Sequence, residues 1–152
     1  MKKVIKVLLF VFVIFIISCH CFAATTEEVK QNIIRQSKAM GVEPAIMLSI
    51  AKAESGFNQN VRAGSNVGVF QLSTATAKTM GINPYDLDDN IKGGIMYYKN
   101  MYNKFGSMEL AVAAYNTGAG AITKNGNTIP SYARPFVNRI MSNYKIYKQT
   151  SL

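Results

Sequence analysis

A chain of 152 residues has room for one domain with a real core, and its 17 Lys and Arg against 8 Asp and Glu set a formal net charge of +9. Its two Cys and single His (Cys19, Cys21 and His20) all precede residue 24. A chain that sheds that stretch has no thiol and no imidazole, which excludes Ser-His-Asp and Cys-His catalysis and Cys/His zinc sites and leaves carboxylates as its acid-base groups. The basic excess suits anionic envelope polymers or membrane surfaces; its scatter along the chain, with no recognition motif, argues against nucleic acid.

Met1 to Ala23 reads as an export leader. Lys2, Lys3 and Lys6 form a cationic start, and Val7 to Ile17 is an apolar run of leader length, short of a membrane span. Cys21 and Ala23 are the small residues of a cleavage site after Ala23. Two alternatives stay open: an uncleaved anchor, lengthened by Val4 and Ile5, and lipid attachment at Cys19, since Ile16-Ile17-Ser18-Cys19 loosely resembles a lipobox. Cleavage removes three lysines and no acid, so residues 24–152 would form an exported, periplasmic domain of net charge +6 without disulfides.

No repeat or linker divides residues 24–152. Thr25 and Glu28 form a capping box, Val29, Ile33, Ser37 and Met40 share one helical face, and Gly41 ends that helix. Pro44 suits a first turn, and Ala45 to Glu54 follows as an apolar helix. Residues 57–70 have no helical period and predict a shaped loop. Ser73 or Thr74 caps a short helix ending at Gly81. Asp86 to Asn90 opens a helix with the stripe Ile91, Ile95, Tyr98, Tyr102, closed by Gly106. Ser107 caps Met108 to Tyr115, a glycine-punctuated segment runs from Thr117 to Gly126, and Arg134 to Tyr147 forms a last helix with Val137, Ile140, Met141 and Tyr144 inward. Strand alternation is nearly absent. The expected fold is mainly α, a compact non-bundle helical domain with a loop-lined cleft.

Glu54 is the candidate acid-base group. It lies four residues after Ile50 and seven after Met47, on the apolar face, while Lys52 points about 200° of helix rotation away. An acid against apolar neighbours without a cationic partner has a raised pKa, as a general acid near neutrality requires. The other acids after residue 23 (Glu27, Glu28, Glu43, Asp86, Asp88, Asp89, Glu109) sit near helix starts, where capping and the macrodipole explain them. No second carboxylate has a catalytic setting, which argues against a two-carboxylate glycosidase.

Glu54-Ser55-Gly56-Phe57-Asn58, Gly68-Val69-Phe70-Gln71-Leu72 with Thr74 to Ala77, Asn90-Ile91 with Gly94 and Tyr98, and Ala113-Ala114-Tyr115-Asn116-Thr117-Gly118 resemble, in order and spacing, the motifs of lytic transglycosylases. The resemblance spans roughly residues 28 to 140. It implies a lysozyme-like fold with a saccharide cleft, and cleavage of peptidoglycan between N-acetylmuramic acid and N-acetylglucosamine with a 1,6-anhydro end; the alternatives are a hydrolytic muramidase of related fold and a non-catalytic envelope assembly protein that keeps the fold. No metal or organic cofactor is implied. It assigns Glu54 as the single acid/base, Ser55 as a contact to the acid or the N-acetyl group, Gln71 and Asn116 to the cleft, and Tyr115 beside Glu54. The implied partners are peptidoglycan strands and, for a small exported member, components of a pilus or secretion machine; membrane association would need lipidation or an uncleaved leader. The last motif departs from the pattern. Tyr132-Ala133-Arg134-Pro135-Phe136-Val137 has no acid and places Phe136 where Tyr is usual, leaving Tyr132 as the candidate phenol.

Overall fold

Capping chemistry sets most of the helix boundaries. In the computed structural model, which describes residues 24–150, helix α1 (Thr26–Ala39) starts in the expected capping box: the Glu28 amide donates to Thr25 Oγ1 at 3.2 Å and the Thr25 amide donates to Glu28 Oε2 at 2.7 Å. Helix α2 (Pro44–Ser55) has proline in its first turn and stops at left-handed Gly56, φ +61°. Ser73 caps α3 (Thr74–Thr79), Asp86 caps α4 (Leu87–Phe105) and Ser107 caps α5 (Met108–Thr117), each accepting from the amide three residues on. Helix α6 (Ala119–Lys124) and a 3-10 turn (Ser131–Ala133) lead to α7 (Arg134–Gln149). The leader expected over residues 1–23 lies outside the described residues. Among those described, no helix is long and apolar enough to cross a membrane.

The centre of the molecule is α2, buried on all sides from Ala45 to Ala51, with α1 and α7 packed against it. Helix α5, buried from Ala111 to Tyr115, packs on α4, α6 and α7. Alanines on α5 let these helices approach closely, and fully buried Ile46, Met47, Leu48 and Ile50 each contribute about 1.5–3 kcal/mol of burial. At its start α2 is tied down by Glu43. Rather than capping the helix, as its position predicts, the Glu43 carboxylate accepts from Tyr144 Oη at 2.7 Å and pairs with Lys148, both on α7.

Three elements differ from the sequence expectation. Residues 57–70 are only partly a loop: β1 (Arg62–Ala63), β2 (Asn66–Val67) and β3 (Leu72–Ser73) form an antiparallel sheet in that order, registered Arg62 to Val67 and Val67 to Leu72. Strands of two residues are too short to show alternation. Residues 119–124 are helical although Gly118 and Gly120 suggest a loop. Tyr102 is 44 % exposed, stacked on Tyr98 rather than inward. At 3.6 residues per turn the buried stripe of α4 drifts, and Met101 and Phe105 take over contact with the core.

Glycine is required on α4 where the segment after β2 passes beneath it. A Cβ on Gly94 would meet Cγ of fully buried Phe70 at 2.2 Å, far inside contact distance. Gly94→Ala is expected to destabilise by about 3 kcal/mol, because the clash outweighs the helix preference of alanine, about 1 kcal/mol. A Cβ added to Gly120, on α6, would meet nothing within 4 Å, so Gly120→Ala should instead stabilise by up to about 1 kcal/mol. Thermal midpoints of the two variants, moving in opposite directions, check both statements.

Candidate active site

Glu54 occupies the next-to-last position of α2, where the buried helix emerges beside a cleft of about 300 Å³. Gln71, Tyr115 and Asn116 line the same cleft, as the sequence reading expects, together with Asn66, Ser73, Thr76 and Tyr97. No other carboxylate lines it among the described residues. Burial raises the Glu54 carboxyl to about 7, against the opposing pull of the Arg139 charge. That pull corrects the expectation of an acid without a cationic neighbour. Lys52 does point away, its Nζ 5.8 Å from the centre of the Tyr147 ring, but Arg139 belongs to α7, and the periodicity of α2 carries no information about it.

Beneath the cleft-lining Gln71 runs the buried segment from Val67 to Phe70, the supporting floor of the site, held by side chains from distant parts of the chain. Asn90, fully buried on α4, accepts from the Phe70 amide at 2.9 Å and donates to Val67 O at 2.9 Å and Pro84 O at 3.0 Å. Gln59 Oε1 accepts from the Val69 amide at 3.1 Å, and Tyr115 Oη donates to Phe70 O at 2.8 Å. These bonds satisfy backbone groups that strand pairing leaves over in a buried turn. Gly68 fits there, at φ +80°, because a Cβ would fall 2.4 Å from Asn90 Nδ2. Gln71 itself stands at φ +45°, a conformation side chains rarely adopt, and its Nε2 donates to Gly68 O at 2.8 Å and Val61 O at 3.1 Å. Its Oε1 accepts no bond among the described residues and remains available as an acceptor.

Two assigned residues are placed elsewhere. Ser55 does not line the cleft: its hydroxyl donates to Val69 O at 2.8 Å and accepts from the Asn58 amide at 3.1 Å, bolting the end of α2 to the back of the floor. Tyr132 is 68 % exposed and lines a separate hollow with Lys124, Asn125 and Pro130. In its 3-10 turn Ala133 takes the buried position and the tyrosine is turned out. Phe136 packs against the core with the Arg139 guanidinium 5.4 Å from its ring centre.

Tyr97, like Asn66, Ser73 and Thr76, is a cleft residue the sequence reading missed. The spacing of the Asn90-Ile91-Gly94 pattern, with two residues between the glycine and the aromatic, selects Tyr97; Tyr98, the residue assigned above, is buried in the core. The Tyr97 ring meets Tyr115 edge-on, centroids 5.1 Å apart. Burial, then the nearby Glu54 and Tyr97, hold the Tyr115 phenol well above its ordinary value. Tyr115 therefore remains protonated and serves as a donor to the floor.

A mainly helical domain with one half-buried carboxyl at the mouth of a polar cleft is the lysozyme-like arrangement. The chain belongs to the transglycosylase SLT domain family, whose pattern matches residues 31–134. It is similar to a transglycosylase of Enterobacteria phage PRD1, 31% identical over 96 residues that cover 59% of this chain and 36% of that protein. It is also similar to the membrane-bound lytic murein transglycosylase C of Mannheimia succiniciproducens, 28% identical over 131 residues, 72% of this chain and 37% of that protein. The chain thus spans little more than a third of the length of these curated relatives. Among solved structures, an inactive mutant of the lytic transglycosylase Slt of Pseudomonas aeruginosa superposes with a TM-score of 0.69 at 25% identity, covering 79% of this chain and 24% of that one. The 70 kDa soluble lytic transglycosylase of Escherichia coli gives 0.69 at 24%, covering 82% and 26%, and shares the fold.

Proposed function

We propose that the chain cleaves peptidoglycan as a lytic transglycosylase, at the β-1,4 bond between N-acetylmuramic acid and N-acetylglucosamine. The observation that carries this reading is the solitary cleft carboxyl, Glu54, with its pKa near 7 in a domain of a transglycosylase family. Protonated Glu54 donates to the glycosidic oxygen as the bond to C1 breaks. With no second carboxylate lining the cleft among the described residues, the developing positive charge at C1 is relieved by the substrate's own 2-acetamido oxygen. Glu54, now ionised, removes the proton from the muramyl C6 hydroxyl, and that oxygen closes on C1. A 1,6-anhydro end forms, the proton returns to Glu54, and no water is consumed. Gln71 and Asn116 offer hydrogen bonds to the sugar, and Tyr115 fixes the buried segment beneath Gln71.

Product analysis on purified sacculi tests this. Wild-type protein should release fragments with anhydro ends, lighter by one water than hydrolytic ones; hydrated reducing ends would overturn the transglycosylase reading. Only protonated Glu54 starts the reaction, so kcat/KM should fall as pH rises through about 7. Arg139→Gln removes the charge that lowers the Glu54 pKa, so the same limb should move to higher pH.

The leader-like segment 1–23 supports an exported, periplasmic location, where local wall opening would serve assembly of a pilus or secretion apparatus. Adjacent genes for such components would support that role, and a neighbourhood of wall-recycling genes would sink it.

A further inference from the structure

After Glu109 the sequence contains no acidic residue; its charges from there on are Lys124, Arg134, Arg139, Lys145 and Lys148. Lys148 is paired with Glu43, and Arg139 acts on Glu54. Lys124 has no carboxylate partner among the described residues. It stands at the end of α6, whose other end begins at Gly118 on the cleft wall. Six residues of helix span about 9 Å, close to the length of one disaccharide unit. Along this helix lies a hollow of about 320 Å³ lined by Ala121, Lys124, Asn125, Pro130 and Tyr132.

The frame of the hollow is fixed. Asn125 Nδ2 donates to Thr128 Oγ1 at 2.8 Å, Thr128 Oγ1 donates to Asn125 O at 2.9 Å, and the Asn127 amide donates to Ile122 O at 3.0 Å. Within it the Tyr132 ring is 68 % exposed and its hydroxyl has no hydrogen-bond partner among the described residues. An open aromatic face stacks on the C–H face of a pyranose, and an unpaired ammonium takes a carboxylate.

We propose that this hollow is a second glycan site, which takes a peptide-bearing N-acetylated sugar unit of the wall with its ring on Tyr132 and a carboxylate of its peptide stem at Lys124. The proposal rests on the glycan-cleaving reading above and adds a contact outside the cleft. The unit belongs either to the strand being cut or to a neighbouring strand.

Binding by the Glu54→Gln protein separates the possibilities, because bound glycan is then not cleaved. Adding Tyr132→Ala and Lys124→Gln should weaken binding to purified sacculi by about tenfold, roughly 1.4 kcal/mol. A trimer of N-acetylglucosamine, which only fills the cleft, should bind unchanged and shows that the fold is intact. Tyr132→Phe keeps the ring and should retain binding. A matching loss on soluble peptide-bearing strands assigns the unit to the strand being cut; a loss on sacculi alone assigns it to a neighbour. Equal binding by parent and double variant, on both ligands, overturns the second site and leaves the cleft reading standing. If the parent binds neither trimer nor sacculi, the cleft reading falls and the second site falls with it.

Discussion

Glu54→Gln is expected to lower wall-glycan cleavage by about a hundred- to ten-thousandfold, the usual contribution of a positioned proton donor, while the fold and sugar binding persist. The amide has nearly the shape of the acid but neither gives nor takes a proton at neutral pH. The same change should raise stability at alkaline pH. In the unfolded chain the Glu54 carboxyl ionises near its ordinary 4.5, and in the folded protein only near 7. Between those values the native state holds a proton that the unfolded state has released, so raising pH destabilises the wild type. The full effect above pH 7 is about 3 kcal/mol for a shift of this size, and glutamine has none of it. Thermal melts of the two proteins should therefore diverge as pH rises from 4.5 to 7 and coincide below it. Normal turnover by the variant would remove Glu54 from the chemistry, and parallel melts at all pH values would remove the buried, proton-retaining carboxyl.

Asn90→Ala is expected to cost about 3–5 kcal/mol, a large part of the stability of a domain this size. It strips the Phe70 amide and the Val67 and Pro84 carbonyls of their shared partner in a fully buried place. Asn90→Asp separates polarity from shape. An ionised carboxylate still accepts from the Phe70 amide but cannot donate to the two carbonyls, and its burial raises its pKa. The Asp variant should thus be closest to wild type in acid, where the protonated group regains one donor, and should lose stability as pH rises above the carboxylate range. Denaturant midpoints across pH measure this; a pH-independent loss would mean that the donors of Asn90 do not matter.

The local code was legible and the tertiary code was not. Thr25, Pro44, Gly56, Ser73, Asp86, Ser107 and Gly106 mark helix ends through bonds and dihedrals confined to a few neighbouring residues, so their sequence signals correspond to their places in the structure. The two-residue strands carry no period to read, and the helical run from Ala119 to Lys124 is hidden by its glycines. Glu54 could be found because its own helix dictates its burial. The charge that opposes this burial, on Arg139, comes from a helix remote in sequence, and no spacing within α2 encodes it. Ser55 illustrates the same limit: a hydroxyl beside the Glu54 carboxyl in sequence turns to the other side of the floor, because the end of a helix sends consecutive side chains about 100° apart.

The floor of the cleft also has a temporal consequence. Its bonds join residues separated by 10, 14, 20 and 45 positions, from Gln59, Ser55, Asn90 and Tyr115 respectively. A chain whose helices have formed but whose α5 has not yet docked lacks the Tyr115 clamp on Phe70. Of these four closures the 45-residue one made by Tyr115 carries the largest loop entropy and is expected to form last. The proposed cutting activity therefore arrives only with the finished tertiary structure: a nascent or partly unravelled chain would be harmless to a glycan polymer around it, and one local opening at α5 would be enough to disarm it.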